Sequence, residues 1–207
     1  YSLIIQTDEK TFQMNKSLPT FYLFMIILLE GYIVLSSELL AIRQTMPILG
    51  SGTDTISVII AAVLMPLAFG YYMGGQFKIG FNKHGRYQSI RKKLIINIFV
   101  SMSILVLGLS YIILNDIMNA LMYLGIENRV FLVTIYAVLF LVTPTYLLGQ
   151  TVPLISNYFK YQKMQKVTGK ILFFSTIGSF LGAIFTTLIL MNTLGVKNTV
   201  TLNLFVM

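Results

Sequence analysis

Glu30 and Glu38 are the only charges in an apolar run that extends from Pro19 through Ile42. A carboxylate within hydrocarbon costs at least ~2.5–3.5 kcal/mol, so it faces protein or a water-filled cavity. Its chemistry there is that of a cation or proton site, or of a polar contact to a neighbouring helix. Eight helical residues turn the chain by about 80° beyond two full turns and raise it by about 12 Å. The two glutamates therefore share one broad face at different depths, Glu30 near mid-membrane and Glu38 closer to the outer end. Ser36 and Ser37 stand beside Glu38 and can hydrogen-bond. Arg43 follows Glu38 by five residues, about 140° around a continuous helix. A direct pair requires the helix to end between them or Arg43 to reach back along its own stem. An anchor at the outer interface is the expected role of Arg43. Glu38, Glu30, Ser37 and Arg43 form the candidate ligand set.

Little else in the chain could do chemistry. There is no Cys, and His84, in Lys83-His84-Gly85-Arg86, is the only histidine. Disulfides, thiolate zinc sites and Cys nucleophiles are excluded, and the carboxylates are too scattered to predict a metal site. Gly50-Ser51-Gly52 has neither the preceding strand nor the Lys-Ser or Lys-Thr pair of a phosphate loop. No Ser, His and Asp arrangement suggests a triad, so no catalytic residue and no cofactor is predicted.

The elements that hold these residues follow from composition. Of 207 residues, 56% are hydrophobic and 11% charged, against about 25% charged in a soluble domain. The shortfall sits in runs of the length that a bilayer requires, about 20 residues each. The reading is an all-α, polytopic transmembrane bundle of about five to six spanning helices. Residues 1–18 form an N-terminal segment and 19–207 the membrane domain. Helices are expected at about 19–42, 55–75, 94–114, 130–150 and 168–192, with a sixth starting near 199. Thr53 or Asp54 is the expected N-cap of the second. Pro144 and Pro153 should bend or end the fourth. Residues 116–127 read as an interfacial helix, with Ile117, Ala120, Leu121 and Leu124 at helical spacing. Gly70 and Gly74, like Gly178 and Gly182, have the small-xxx-small spacing of close helix packing. Kinked helices of this kind also line cavities.

The net charge of +8 sits in clusters between the apolar runs. Twelve of the fifteen Lys and Arg alternate onto one side and Arg43, Arg129 and Lys197 onto the other. That asymmetry predicts a cytoplasmic N-terminus and cytoplasmic basic loops facing anionic lipid, not nucleic acid. The chain starts at Tyr1 and stops at Met207 inside an apolar run, as a piece of a longer protein would.

Several stretches resemble the membrane domain of spermidine-synthase-like proteins. They are Glu38-Leu-Leu-Ala-Ile-Arg43 with Pro47 and Gly50-Ser51, Leu67-Ala-Phe-Gly70-Tyr-Tyr-Met-Gly74-Gly75, Pro144-Thr-Tyr-Leu-Leu-Gly149-Gln-Thr-Val-Pro153, and Gly169 with Ser175-Thr-Ile-Gly178-Ser179-Phe-Leu-Gly182. The likeness runs from about residue 27 to 196 in the same order. It departs in lacking the aromatic residue, commonly Trp, that the family carries after the Gly-Ser turn. It also lacks the soluble aminopropyltransferase domain. The resemblance implies a transporter-like bundle in the bacterial inner membrane that handles a polyamine or another small cation, or that anchors an aminopropyltransferase lying downstream or on another chain. The alternatives are a structural subunit of a larger membrane complex, or half of a secondary transporter. The expected partners are the lipid bilayer, a small cationic ligand, and a second copy or other membrane subunits.

Overall fold

The computed structural model describes residues 20–77, 83–158 and 164–206. All the elements among them are helical. The first, α1 (Thr20–Leu49), runs seven residues past the expected stop and carries Pro47 in its last turn. A tight connection through Gly50, at φ +85°, leads to α2 (Thr53–Gly75). The N-cap of α2 is Gly52 and has no side-chain bond; Thr53 and Asp54, the expected caps, stand inside the first turn.

The chain continues as α3 (Lys83–Gly108) and α4 (Tyr111–Tyr123). The run expected to cross as one helix over 94–114 is therefore broken, and the two helices meet at 64°. The expected interfacial helix begins earlier than position 116 and buries Leu114 and Met118; Ala120 and Leu124 are exposed.

The next span, Arg129–Asn157, is built in pieces: α5 (Arg129–Ala137), a π-helical segment Val138–Val142, α6 (Thr143–Gly149) and α7 (Thr151–Tyr158). Asn128 caps α5 by accepting from the backbone N–H groups of Val130 and Phe131. Pro144 has no N–H for the Phe140 carbonyl, and its ring crowds that oxygen. The wider π turn immediately before it takes up the mismatch. Pro153 lies in the first turn of α7, where its missing N–H has no helical partner to lose.

Last come α8 (Met164–Ile184), a second π-helical segment (Phe185–Leu190) and α9 (Met191–Val206). Gly195, at φ 73° and ψ 167°, breaks the helix within α9. Tyr32 touches both Gly182, thirteen residues before Gly195, and Asn203, eight residues after it. A straight rod would separate those two positions by about 30 Å. The chain thus reverses at Gly195, and the apolar run Val167–Asn203 is two legs.

Four described helices are long and apolar enough to cross a membrane, or five with α3 and α4 taken as one span. The architecture is an all-α helical bundle of the integral membrane class.

The α1–α8 pair forms its tightest seam. Phe24 stacks on Phe174 with ring centroids 5.0 Å apart, Leu28 meets Gly178 and Tyr32 meets Gly182. In each pair the second residue lies 150 positions after the first, so the helices run parallel and in register. A Cβ on Gly31 would strike the Ser175 carbonyl oxygen; one on Gly178 would strike the Leu28 carbonyl oxygen. These are backbone atoms, which cannot rotate away. The second seam joins α2 to α6 and α7: Gly70 meets Tyr146 and Gly149, and Gly74 meets Gln150 and Pro153.

Gly178→Ala should lower stability by about 1–3 kcal/mol through forced helix separation. Gly169→Ala, in open space, should leave it unchanged or slightly raised. Thermal melts of the two variants in detergent, compared with the parent chain, test this contrast.

Candidate cation site

With no water in a bilayer core, every break in a helix leaves polar groups that protein must satisfy. The bend between α3 and α4 leaves the carbonyls of Gly108 and Leu109. Tyr136 of α5 donates its hydroxyl to the first at 3.1 Å, and Gln44 of α1 donates its amide to the second at 2.8 Å. The break between α6 and α7 is treated the same way from α3. Asn97 donates to the Leu147 carbonyl and to the Gln150 side chain, and Ser101, one turn on, donates to the Pro144 carbonyl. Sequence reasoning did not single out Gln44, Asn97, Ser101 or Tyr136. The available signal was an isolated amide within an apolar run.

Against that background the two glutamates stand out. Glu30 is 3% exposed, and its Oε2 is buried with no hydrogen-bond partner. It lies close enough to Tyr71 of α2 to interact with it electrostatically. Glu38 is 7% exposed. Neither has a hydrogen-bond or ion-pair partner among the described residues, and no Lys or Arg is among the buried ones. Because α1 is unbroken between them, their separation along the axis is about 12 Å.

Glu38 follows Gly31 by seven residues, a net rotation of about 20°, so it leaves α1 on the side of the α8 seam. Extending the 150-residue register one turn brings Ser36 level with Thr186 and Glu38 level with Leu188. The π-helical Phe185–Leu190 thus flanks Glu38. Thr186 is fully buried and its hydroxyl has no partner. Asn203 behaves similarly: its Oδ1 accepts from the Tyr32 hydroxyl at 2.9 Å while its Nδ2 is unpaired. Thr186 and Asn203 are thus two buried polar groups, each with an unpaired atom, and neither bonds Glu38.

The remaining candidates sit differently. Ser36 and Ser37 are fully buried and donate to the carbonyls of Ile33 and Val34 in their own helix. Their lone pairs stay available, but neither bonds Glu38. Arg43 is exposed, and the unbroken helix carries it away from Glu38; among the described residues it has no ion-pair partner. Gly70, Gly74, Gly178 and Gly182 lie against backbone in the two seams and contribute no ligand atom. No group of three or more His, Cys, Asp or Glu suited to a metal ion occurs among the described residues. The His84 side chain and residues 1–18 lie outside them.

No family model, no curated protein and no solved structure matches this chain.

Removing a donor at the α3–α4 bend should strand a buried carbonyl. Gln44→Leu and Tyr136→Phe should each destabilise by about 1–3 kcal/mol. The double variant should lose more than either single one, as read by melting in detergent.

Proposed function

We propose that the chain is the membrane-embedded part of a spermidine-synthase-like protein that binds a small cation, a polyamine first, with Glu38 as the principal ligand and Glu30 as the second. One observation carries this reading: two buried carboxyl groups on one helix, with no cationic or hydrogen-bonding partner among the described residues. An ion left alone in hydrocarbon is costly, and a bound ammonium group would offset that cost by direct charge pairing. A polyamine carries several ammonium groups on a flexible apolar chain. It could therefore engage one carboxylate at Glu38 and a second deeper at Glu30. Glu38, the less deeply buried of the two, is the entry point in this scheme, and Thr186 lies on the facing helix one turn past the seam. The protein resides in the bacterial inner membrane with its basic loops in the cytoplasm.

Spermidine should raise the melting temperature of the purified chain in uncharged detergent. Glu38→Gln should abolish that rise, and Glu30→Gln should reduce it, with helicity preserved in both. An undiminished rise in Glu38→Gln would overturn the assignment. The absence of native Cys makes sidedness directly testable. Single cysteines at Ser51 and Lys92 should react with an impermeant thiol reagent from opposite faces of sealed vesicles, Lys92→Cys from the cytoplasmic one. Labelling of both from one face would refute the topology.

A further inference from the structure

A second binding feature lies outside the glutamate site, on the exposed face of α3. A shallow, open groove runs along it, formed by this one helix and lined by Ile95, Ile98, Phe99, Met102 and Val106, with Ser103 at its edge. Phe99 is 72% exposed within it. The lining extends from position 95 to 107, about 18 Å of helix. That is close to one leaflet of a hydrocarbon core about 30 Å thick.

The groove has a charged head. Arg91 precedes Ile98 by seven residues and Met102 by eleven, so it tops the same stripe to within about 20°. Lys92 precedes Phe99 by seven and tops the adjacent stripe. Both side chains are exposed, and neither has an ion-pair partner among the described residues. Lys93, next to them, is held 4.1 Å over the Phe77 ring just past the end of α2. Lys170 of α8 joins this end, because its neighbour Ile171 packs in the same buried cluster as Ile90 and Leu94. The acids Asp54, Asp116 and Glu127 belong to the opposite end of the helices.

The geometry points to a site for one anionic phospholipid, its phosphate between Arg91 and Lys92 and one acyl chain lying in the α3 groove. Charge complementarity selects the headgroup: each basic residue near a membrane surface favours anionic lipid, and two of them act here on one phosphate. The continuous apolar stripe beneath them selects a lipid over a free phosphate, which has nothing to place there. The arrangement does not depend on the role of Glu30 or Glu38.

The chain has no Trp, so Phe99→Trp supplies a single reporter inside the groove. In nanodiscs at low salt, brominated-acyl phosphatidylglycerol should quench it more strongly than brominated-acyl phosphatidylcholine at equal mole fraction. The expected preference is on the order of tenfold in apparent affinity. Adding Arg91→Gln and Lys92→Gln should collapse the preference to near unity, while glycerol phosphate should not compete. Equal quenching by the two lipids, a preference that survives the double substitution, or full competition by glycerol phosphate would each overturn the site. No quenching by either lipid would mean that protein covers the groove, and would overturn it as well.

Discussion

Everything in this molecule depends on one constraint: inside hydrocarbon, a polar group has only the protein to bond with. The bundle contains two helix interruptions whose carbonyls are bonded from a neighbouring helix. The α3–α4 bend exists because Gln44 and Tyr136 hold its two free carbonyls. At the α6–α7 break Asn97 of α3 bonds the Leu147 carbonyl and the Gln150 side chain, and one turn along α3 Ser101 bonds the Pro144 carbonyl at the start of α6. Helix α3 is thus both a recipient and a donor, and the irregular parts of the bundle are tied to one another. The glutamates gain their meaning from the same constraint. Glu30 Oε2 is one of the buried side-chain atoms left without a partner, along with atoms of Gln44, Thr55, Thr151, Thr186 and Asn203.

Packing supplies the second layer. The α1–α8 seam relies on close backbone approach through Gly31, Gly178 and Gly182. Across it, Ser179 donates its hydroxyl to the Gly31 carbonyl. Association of this kind is driven by dispersion and small hydrogen bonds, since lipid offers no hydrophobic incentive to pair.

The spans themselves were legible in the sequence because bilayer thickness imposes a length on apolar runs, and the spacing of Glu30 and Glu38 follows from counting along one unbroken helix. The divergence of Glu38 and Arg43 was legible too, as simple helical geometry. The interruptions were harder. The break after Gly108 sits inside an apolar run, and the residues that stabilise it are 65 and 28 positions away. Pro144 announced a bend, but not that a π turn would absorb it. The N-cap at Gly52 was missed because it offers no side-chain bond, while the Thr and Asp beside it looked the part. Thr186 and Asn203 could not be read at all, since their lack of partners is a property of three packed helices.

The parallel register of α1 and α8 also bears on how the chain assembles. The two helices that form the tightest contact are separated by about 150 residues, most of the length of the bundle. Helix α1 is made well before α8 and must wait, with Gly31 facing lipid or another protein, until α8 has been synthesised and inserted. The α1–α8 seam therefore closes only after the spans between the two helices have been made, and a chain arrested before position 182 would retain those spans yet leave the Gly31 face of α1 without its α8 partner.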